Sequence, residues 1–406
     1  MKALGIVREA CAAASLLFLF LLVTSGWGLM AAYVPSDHEA FATVLYLRKQ
    51  AGAAGFLRSV HYQVSSALVV SGFLYLVASF LEGRLAVEKK AWWVAVGAYL
   101  LVLGLCFTGY LLPMDQNAYW GTAIRLGIVG TMPVAGGWLA DLLRGGATVN
   151  ASTLPRFHAL HVSVFPFLLL VLLLLLLPEL AALARGSEPG RRRRPLLVAL
   201  VLLVLAFASA LAVPAPLEPR AAPADTAYVP RPEWYFVWLF QLGKYLEGAE
   251  WIRSALVPAA GAALLVALPY LRPGSPRLRA AAATGLLFAA AVLTGLSRWE
   301  DRVLPAKPSY EEALATRAAG LYHAECVSCH GAGGKGDGSQ ARAFRLDARD
   351  FTQPDFWREV PEERMRESIR NGRREDMPAF GRKLSEEEID GLLALLRSRF
   401  RPAPVP

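Results

Sequence analysis

The chain has 406 residues, of which 55% are hydrophobic and only 18% are charged, a composition that excludes an ordinary water-soluble protein. Its formal net charge of +9 could indicate a nucleic-acid partner, but much of the excess lies in short loops between apolar runs, as at 191–194. Basic residues in such loops indicate membrane topology. We therefore predict a membrane protein in contact with lipid and no nucleic-acid partner.

Apolar runs long enough to cross a hydrocarbon core of about 30 Å recur through the first three quarters of the chain. We predict seven membrane-spanning helices, at 8–33, 58–81, 91–112, 156–182, 195–213, 254–271 and 279–297. A cleaved signal peptide is the alternative for the first, but the apolar stretch is long for one. Cys11 and Cys106 lie inside these runs and are expected to be small buried residues without a disulfide.

The distribution of basic residues predicts the orientation. The N-terminus, with Lys2 and Arg8, and the loops 82–90, 185–194 and 272–279 are basic, which predicts that they face the cytoplasm. An odd number of spans then leaves the C-terminus outside, the periplasmic side of a bacterial inner membrane. Two long segments, 113–155 and 214–253, also lie outside, and loops of that length usually carry function.

Two of the six histidines, His61 and His161, lie near the outer ends of the second and fourth predicted spans. Neutral imidazoles from two facing helices are what a haem with two histidine ligands needs. Arg58 and Arg156 precede them, and haem propionates would pair with these cations. On spacing alone, it stays open that the histidines only line a helix contact, and His158 competes with His161 as a ligand.

Four segments, in order along 8–300, resemble cytochrome b, the b subunit of bc-type quinol:cytochrome c oxidoreductases: 56–61, 107–116 with 119–121, 154–161 and 230–235. The Pro-Glu-Trp-Tyr sequence in the last of them is highly specific for that family. The resemblance implies a four-helix haem bundle over 1–185 and a three-helix domain over 186–300. It also implies a dimer, and His61 and His161 as the axial ligands of a haem b.

In the resembled family, each ligand helix carries two histidines fourteen residues apart, and the four hold two stacked haems. Glycines on the first and third helices lie where each haem edge meets the backbone. This sequence keeps the outer set, His61, His161, Gly26 and Gly109. The corresponding inner positions, fourteen residues and about 21 Å along each helix, hold Tyr75, Leu175, Ala12 and Ala95. We therefore predict one haem b, at the outer level, and an inner site filled by side chains.

In the resembled family, the Pro-Glu-Trp-Tyr loop lines the outer quinol-oxidation site and its glutamate takes a proton from quinol. The match assigns that role to Glu233, whose pKa a low-dielectric pocket would raise towards neutrality. The residues expected to shape the pocket are Tyr110, Pro232, Trp234 and Tyr235. Interfacial aromatic anchoring is the alternative, but it leaves the glutamate unexplained. Met114 departs from the family, which usually has Trp there, and puts the shape of the pocket in doubt.

After a polar tether at 301–310, the region 311–406 is predicted to be a small soluble all-helical domain. Cys326 and Cys329 offer thiols to the porphyrin vinyl groups, and His330 is the adjacent iron ligand. A structural zinc site is the alternative, yet no second Cys or His pair follows. The sequence around Met377 resembles the methionine loop of class I cytochromes c, which implies Met377 as the sixth ligand of a covalent haem c. His323 is interpreted as a surface residue.

The prediction is thus an all-α transmembrane haem bundle joined to a cytochrome c domain. We expect it to oxidise quinol at the outer face and to pass electrons through haem b and haem c to a periplasmic cytochrome or other acceptor. A Rieske-type iron-sulfur subunit is the expected partner. Without an inner haem, the usual return of electrons to an inner quinone site is lost. An electron conduit or a structural subunit of a larger respiratory complex, without quinol turnover of its own, is the alternative.

Overall fold

The computed structural model describes residues 2–37, 39–49, 53–83, 85, 88–186, 189–223, 228–246, 248, 251–252, 256–271, 274–302, 310–373 and 376–402. Within them, all regular structure is helical apart from two isolated backbone bridges. The all-α prediction is therefore confirmed. The chain divides into two compact units, Met1–Pro305 and Ala306–Pro406. Most of the predicted tether at 301–310 lies outside the described residues.

The first unit contains the apolar helices. Its helices are α1 (Lys2–Met30), α2 (Ala40–Lys49), α3 (Ala53–Glu82), α4 (Lys89–Leu111), α5 (Gln116–Gly130), α6 (Gly136–Arg144), α7 (Thr153–Ala159), α8 (Phe165–Gly186), α9 (Pro189–Ala212), α10 (Val237–Lys244), α11 (Val257–Ala267) and α12 (Pro276–Asp301). A π-helical turn, Leu160–Val164, joins α7 to α8 without a break. A short 3₁₀ turn, Trp234–Phe236, precedes α10.

Six helices of the described chain are long and apolar enough to cross a membrane. They cover Ala3–Met30, Ala53–Glu82, Lys89–Leu111, Thr153–Leu175, Arg193–Ala212 and Pro276–Glu300. Of the span predicted at 254–271, residues 254–255 lie outside the described part of the chain, and helical structure is described from Leu256 through α11, which ends at Ala267. Pro269 follows α11 closely, and because proline lacks an N–H and restricts the residue before it, the helix ends there.

The contacts of α12 identify the two ends of the bundle. Near the start of α12, the Arg279 guanidinium donates a hydrogen bond to the carbonyl of Leu81, at the end of α3. Near its other end, the Glu300 carboxylate accepts a hydrogen bond from Lys244, at the end of α10. Lys244 and Leu81 therefore lie at opposite ends of this unit.

The short helix α11 completes a seventh passage through the bundle. The Trp92 indole, in the first turn of α4, donates a hydrogen bond to the carbonyl of Leu265 at 2.8 Å. Since α4 begins at the same end as Leu81, the chain passes from one end to the other between Lys244 and Leu265. The first and last helices of the unit consequently place Arg8 and Asp301 at opposite ends.

A buried ion network closes the Arg8 end. The Arg8 guanidinium lies 3.1 Å from Glu82 and 3.0 Å from Glu88, and the Arg8 and Glu82 side chains are only 6% and 10% exposed. Arg8 therefore ties α1 to α3 and α4 through a paired, buried charge. Arg193 and Arg194, near the start of α9, are exposed. The cytoplasmic orientation of the basic segments stays a prediction.

The second unit is a small helical domain. Its helices are α13 (Tyr310–Leu321), α14 (Val327–His330), α15 (Ser339–Phe344), α16 (Pro354–Glu359), α17 (Glu362–Asn371) and α18 (Glu386–Phe400), with a π-helical turn, Tyr322–Cys326, before α14. Its buried core is formed by Ala318, Tyr322, Phe351, Met365, Ile369, Phe380, Leu384, Ile389, Leu392, Leu393, Leu396 and Phe400. Ser385 and Glu388 form a capping box that fixes the start of α18.

The Arg8→Leu variant tests the buried network. Removing the guanidinium leaves the Glu82 carboxylate buried without its cation, which costs about 3–5 kcal/mol. We expect the thermal unfolding midpoint in detergent, followed by circular dichroism, to fall by more than about 5 °C. Arg194→Leu, at an exposed position, is the control and should leave the midpoint within about 1 °C. Equal midpoints for both variants would contradict a stabilising role for the network.

Candidate functional site

The two intramembrane histidines face each other inside the first unit. His61 lies on α3 and His161 lies in the π-helical turn between α7 and α8. Their ring centroids are 6.2 Å apart, with an angle of 69° between the ring planes. Two imidazoles that bind one metal ion from opposite sides, with metal–nitrogen bonds of about 2 Å, place their centroids roughly 6 Å apart.

Hydrogen bonds to Nδ1 leave the other nitrogen of each ring available as a ligand. The His161 Nδ1 lies 3.0 Å from the carbonyl oxygen of Leu105, which can only accept, so Nδ1 carries the proton. The His61 Nδ1 lies 3.0 Å from the Ser25 hydroxyl, which itself donates to Leu21. In both rings, Nε2 is then unprotonated, as metal ligation requires. The donor chemistry and the spacing fit a haem held by two histidines.

The two glycines of the outer set give these imidazoles room. A Cβ atom built on Gly109 would lie 2.6 Å from Cε1 of His161, a distance that real structures do not tolerate. One built on Gly26 would lie 3.4 Å from Cε1 of His61, at the edge of ordinary van der Waals contact. The structure therefore requires glycine at 109 beside the His161 ring, while a small side chain at 26 would fit beside His61.

The local backbone around His161 is a feature that the sequence did not indicate. The π-helical turn Leu160–Val164 widens the helix by one residue per turn, and such turns are frequent at functional sites. One consequence concerns Leu175, which was expected on the His161 face. It is 47% exposed, because the extra residue changes the register of the face beyond it.

His158 and the two arginines take other partners. The His158 ring stacks on Tyr33, with centroids 5.6 Å apart, and not on His61. Arg58 donates hydrogen bonds to the carbonyls of Ala215 and Pro216, and Arg156 donates to Leu142. These carbonyls are neutral, so both guanidinium groups bring positive charge to the histidine end. The expected pairing with propionates remains a prediction.

At the inner level, side chains from α4 and α8 pack against the facing helices. The Tyr99 ring lies so close to α3 that a Cβ on Gly72 would be 2.9 Å from it. Leu172 also lies close to α4, 3.2 Å from a Cβ on Gly97. The hydroxyls of Ser15 and Ser71 are 2.8 Å apart, which joins α1 to α3. Sequence reasoning named none of these residues, because only their tertiary neighbours reveal the packing.

A second polar group lies beside the histidine pair. The Tyr62 hydroxyl donates a hydrogen bond to Oε2 of Glu233 at 3.2 Å, and Tyr62 follows His61 directly on α3. Burial raises the pKa of the Glu233 carboxyl, while the Tyr62 hydrogen bond and the Arg125 charge act in the opposite direction. Tyr62 was missed from the sequence, where a tyrosine next to a ligand gives no signal by itself.

The loop that carries Glu233 is held by side chains from α4 and α5. The Asn117 amide accepts a hydrogen bond from the Arg231 N–H at 2.8 Å and donates one to the Arg231 carbonyl at 3.1 Å. The Tyr110 hydroxyl lies 3.1 Å from the same carbonyl. A Cβ on Gly121 would lie 2.9 Å from the Tyr110 ring, so this glycine makes the position of Tyr110 possible.

The remaining residues expected to line the quinol pocket differ in how deeply they are buried. Pro232 and Tyr235 are half-buried, and Tyr235 stacks edge-on with Trp234. Trp234 is 47% exposed and lines a groove of about 300 Å³ between α1, α3 and α9. Met114 is buried and has a positive φ of 50°, a strained conformation for a non-glycine residue. The backbone of the expected pocket is therefore strained at Met114, where this chain departs from the resembled family.

In the second unit, residues of the Cys-x-x-Cys-His motif pack against the buried core. The His330 ring stacks on Phe351 at 4.6 Å, and its Nδ1 lies 3.3 Å from the Arg349 carbonyl. Burial lowers the pKa of His330, which favours the neutral ligand form. Burial also raises the pKa of Cys326 to about 11, so this thiol is protonated near neutral pH. Cys329 is half-buried.

Met377 packs against the same core as Cys326. Its backbone carbonyl accepts a hydrogen bond from the Arg373 N–H at 2.9 Å, which fixes the loop that holds it. His323 is exposed, as expected for a surface residue. The structure thus brings the thiol, imidazole and thioether positions around one core, and their roles as haem c ligands remain a prediction.

Two parts of the chain match known protein families. Residues 7–183 match the family model "Cytochrome b/b6/petB", and residues 313–396 match "Cytochrome C oxidase, cbb3-type, subunit III". Over 151 residues, the chain is 38% identical to cytochrome b6 of Gracilaria tenuistipitata var. liui, an alignment covering 37% of this chain and 70% of that protein.

The structure is also similar to a solved chain titled "Hyperthermophilic respiratory Complex III". The TM-score is 0.58 and the identity is 20%, over 75% of this chain and 86% of the other. At that identity, the likeness concerns the fold alone.

The Gly109→Ala variant tests the histidine pair. The added methyl would displace the His161 imidazole, because its Cβ would lie 2.6 Å from Cε1. We expect the purified variant to lose most of its non-covalent haem b absorbance and to keep its haem c absorbance. Gly285→Ala, in α12 with open space around it, is the matched control. Normal haem b content in Gly109→Ala would exclude His161 in this position as a ligand.

Proposed function

Since this chain belongs to the cytochrome b family, we propose that it is the quinol-oxidising, electron-transfer subunit of a bc-type complex. His61 and His161 would hold one haem b. Cys326 and Cys329 would hold one haem c covalently, with His330 and Met377 as its axial ligands. These haems supply one-electron redox chemistry. The side chains around them bind the substrate, accept its protons and set the geometry.

The hydrogen bond between Tyr62 and Glu233 is the observation that carries the proposal. It ties the proposed proton acceptor Glu233 to Tyr62, the residue that directly follows the proposed haem ligand His61 on α3. Burial keeps the carboxyl's affinity for protons high enough for it to take a proton from a quinol hydroxyl near neutral pH. A purely structural or conduit subunit does not need a buried carboxyl at this point.

The packing at the inner level supports a single haem b. Tyr99 and Leu172 press on Gly72 and Gly97 in the part of the bundle where the family has its second haem. Histidine ligands are also missing at the matching positions of the sequence. We infer that electrons do not reach an inner quinone site through this chain. The attached haem c is then the exit towards a periplasmic cytochrome or another acceptor.

Orientation and partners follow from the same reasoning. Exposed Arg193 and Arg194 lie near the start of α9, at the Arg8 end, and the positive-inside rule assigns that end to the cytoplasm of a bacterial inner membrane. Asp301, at the opposite end, then leads to the second unit outside. Quinol, a Rieske-type iron-sulfur subunit and a second copy of the chain are the proposed partners, in keeping with the likeness to a complex III chain.

Haem stoichiometry tests the single-haem inference. We expect the pyridine haemochrome spectrum of the purified chain to give one haem b per haem c, since one histidine pair holds one non-covalent haem. The His161→Ala variant should lower the haem b content towards zero and leave haem c unchanged. Two haems b per haem c in the unmodified chain would overturn the inference, because the extra haem would need ligands at the inner level.

The pH dependence of quinol oxidation tests the role of Glu233. The carboxylate form accepts the proton, so the rate should fall as the pH drops through the Glu233 pKa. Tyr62→Phe removes a hydrogen bond that stabilises the carboxylate. The pKa of Glu233 should therefore rise. The acid limb of the pH–rate profile, where the rate falls as Glu233 becomes protonated, should move to higher pH by about one unit.

Two further variants complete this test. Glu233→Gln should lower the rate about a hundredfold and abolish the acid limb, with unchanged haem spectra. Tyr46→Phe, at an exposed tyrosine, is the control for the loss of a hydroxyl. If neither Glu233→Gln nor Tyr62→Phe changes the rate or the pH profile, Glu233 is not the proton acceptor.

A further inference from the structure

Arg125, on α5, lies in an aromatic cage beside the Glu233 loop. Its guanidinium carbon is 4.0 Å from the centroid of the Tyr110 ring, and the rings of Phe107 and Phe240 are 5.9 Å and 5.8 Å away. Cation–π attraction to these rings holds the planar group in a fixed orientation.

One nitrogen of this guanidinium is left without an acceptor. The Arg125 Nη1 is buried and has no hydrogen-bond partner in the part of the chain that the structure describes. A buried charged donor without an acceptor is costly, so this nitrogen needs a partner from outside the chain, such as a water molecule, an ion or a ligand. The ligand would need an oxygen with high electron density, since a guanidinium donates and cannot accept.

The position of Arg125 connects it to the proposed quinol site. The Tyr110 ring that it covers belongs to the residue whose hydroxyl lies 3.1 Å from the Arg231 carbonyl, two residues before Glu233. The Arg125 charge also lowers the pKa of Glu233, against the larger effect of burial, so the two groups act on each other within one low-dielectric region.

We propose that Arg125 donates a hydrogen bond from Nη1 to the same quinol hydroxyl oxygen whose proton Glu233 accepts. This inference rests on the proposed function and names the substrate-anchoring residue of that site. A quinol hydroxyl gives its proton to the Glu233 carboxylate: the quinol O–H bond breaks, a carboxyl O–H bond forms, and the quinol oxygen keeps the electron pair. Arg125 stabilises the resulting negative oxygen, so it favours this transfer before any electron leaves.

The geometry explains why the residue is an arginine. A lysine ammonium could supply the charge, but it lacks the planar fork of donors by which a guanidinium can lie over the Tyr110 ring and still direct an N–H at the substrate. A glutamine could supply a donor, but it lacks the charge. The two substitutions therefore separate orientation from charge.

The test uses the full-length haem-loaded protein with Arg125→Gln, Arg125→Lys and a control, Arg298→Gln, at an exposed arginine of α12. Binding is measured as tryptophan quenching by an oxidised short-chain ubiquinone and by a short-chain naphthoquinone. Turnover is measured with the reduced forms over a range of pH. We expect Arg125→Gln to weaken quinone binding about tenfold, raise KM about tenfold and move the acid limb to higher pH. Arg125→Lys should restore part of the pH profile but less of the binding.

Two results would overturn the inference and leave the proposed function in place. In one, Arg125→Gln binds quinone and oxidises quinol with the unmodified KM and pH profile. In the other, Arg125→Gln only lowers the thermal unfolding midpoint, as expected for a purely structural cation–π contact. A different result contradicts the proposed function itself: the unmodified protein neither binds the quinones nor oxidises the quinols.

Discussion

The approach of two neutral imidazoles inside a lipid-embedded bundle is the constraint on which the rest of this structure depends. His61 and His161 meet at 6.2 Å with their Nδ1 atoms hydrogen-bonded, and α4 carries a glycine, Gly109, where a Cβ would collide with the His161 ring. A polar ring in a low-dielectric interior needs such partners. The same bonds keep both Nε2 atoms free for iron, so packing and cofactor chemistry have a single structural origin.

The proposed proton acceptor depends on this same helix. Tyr62 follows His61 and donates to Glu233, so the carboxyl is tied to α3 by one side chain. The loop around Glu233 is in turn held by Asn117 and Tyr110. A loop that is fixed by neighbouring helices at several points keeps its carboxyl in place, which is what proton transfer over hydrogen-bond distance requires.

The two ends of the bundle differ in kind. The end that holds Glu233 has guanidinium groups and aromatic rings, and a groove between α1, α3 and α9 runs from Trp234 as far as Cys11 and Leu74. The Arg8 end is closed by an ion network with Glu82 and Glu88, and above it Tyr99 packs on Gly72. A tightly packed interior leaves little room for a large planar cofactor. This asymmetry favours one haem b and a path for electrons that leads outwards.

The sequence by itself determined the all-α class, six of the long membrane helices and the candidate ligands, because apolar length, Cys-x-x-Cys-His spacing and the Pro-Glu-Trp-Tyr motif are local patterns. It could not determine the short α11, which a proline limits, or the pairing of Arg8. Tyr62, Tyr99, Asn117 and Arg125 gave no signal, since each owes its role to neighbours distant in the chain. The π-helical turn at His161 also changed the face expected for Leu175. Such features arise only when helices pack, because burial and partner choice are decided by the assembled bundle and not by residue spacing.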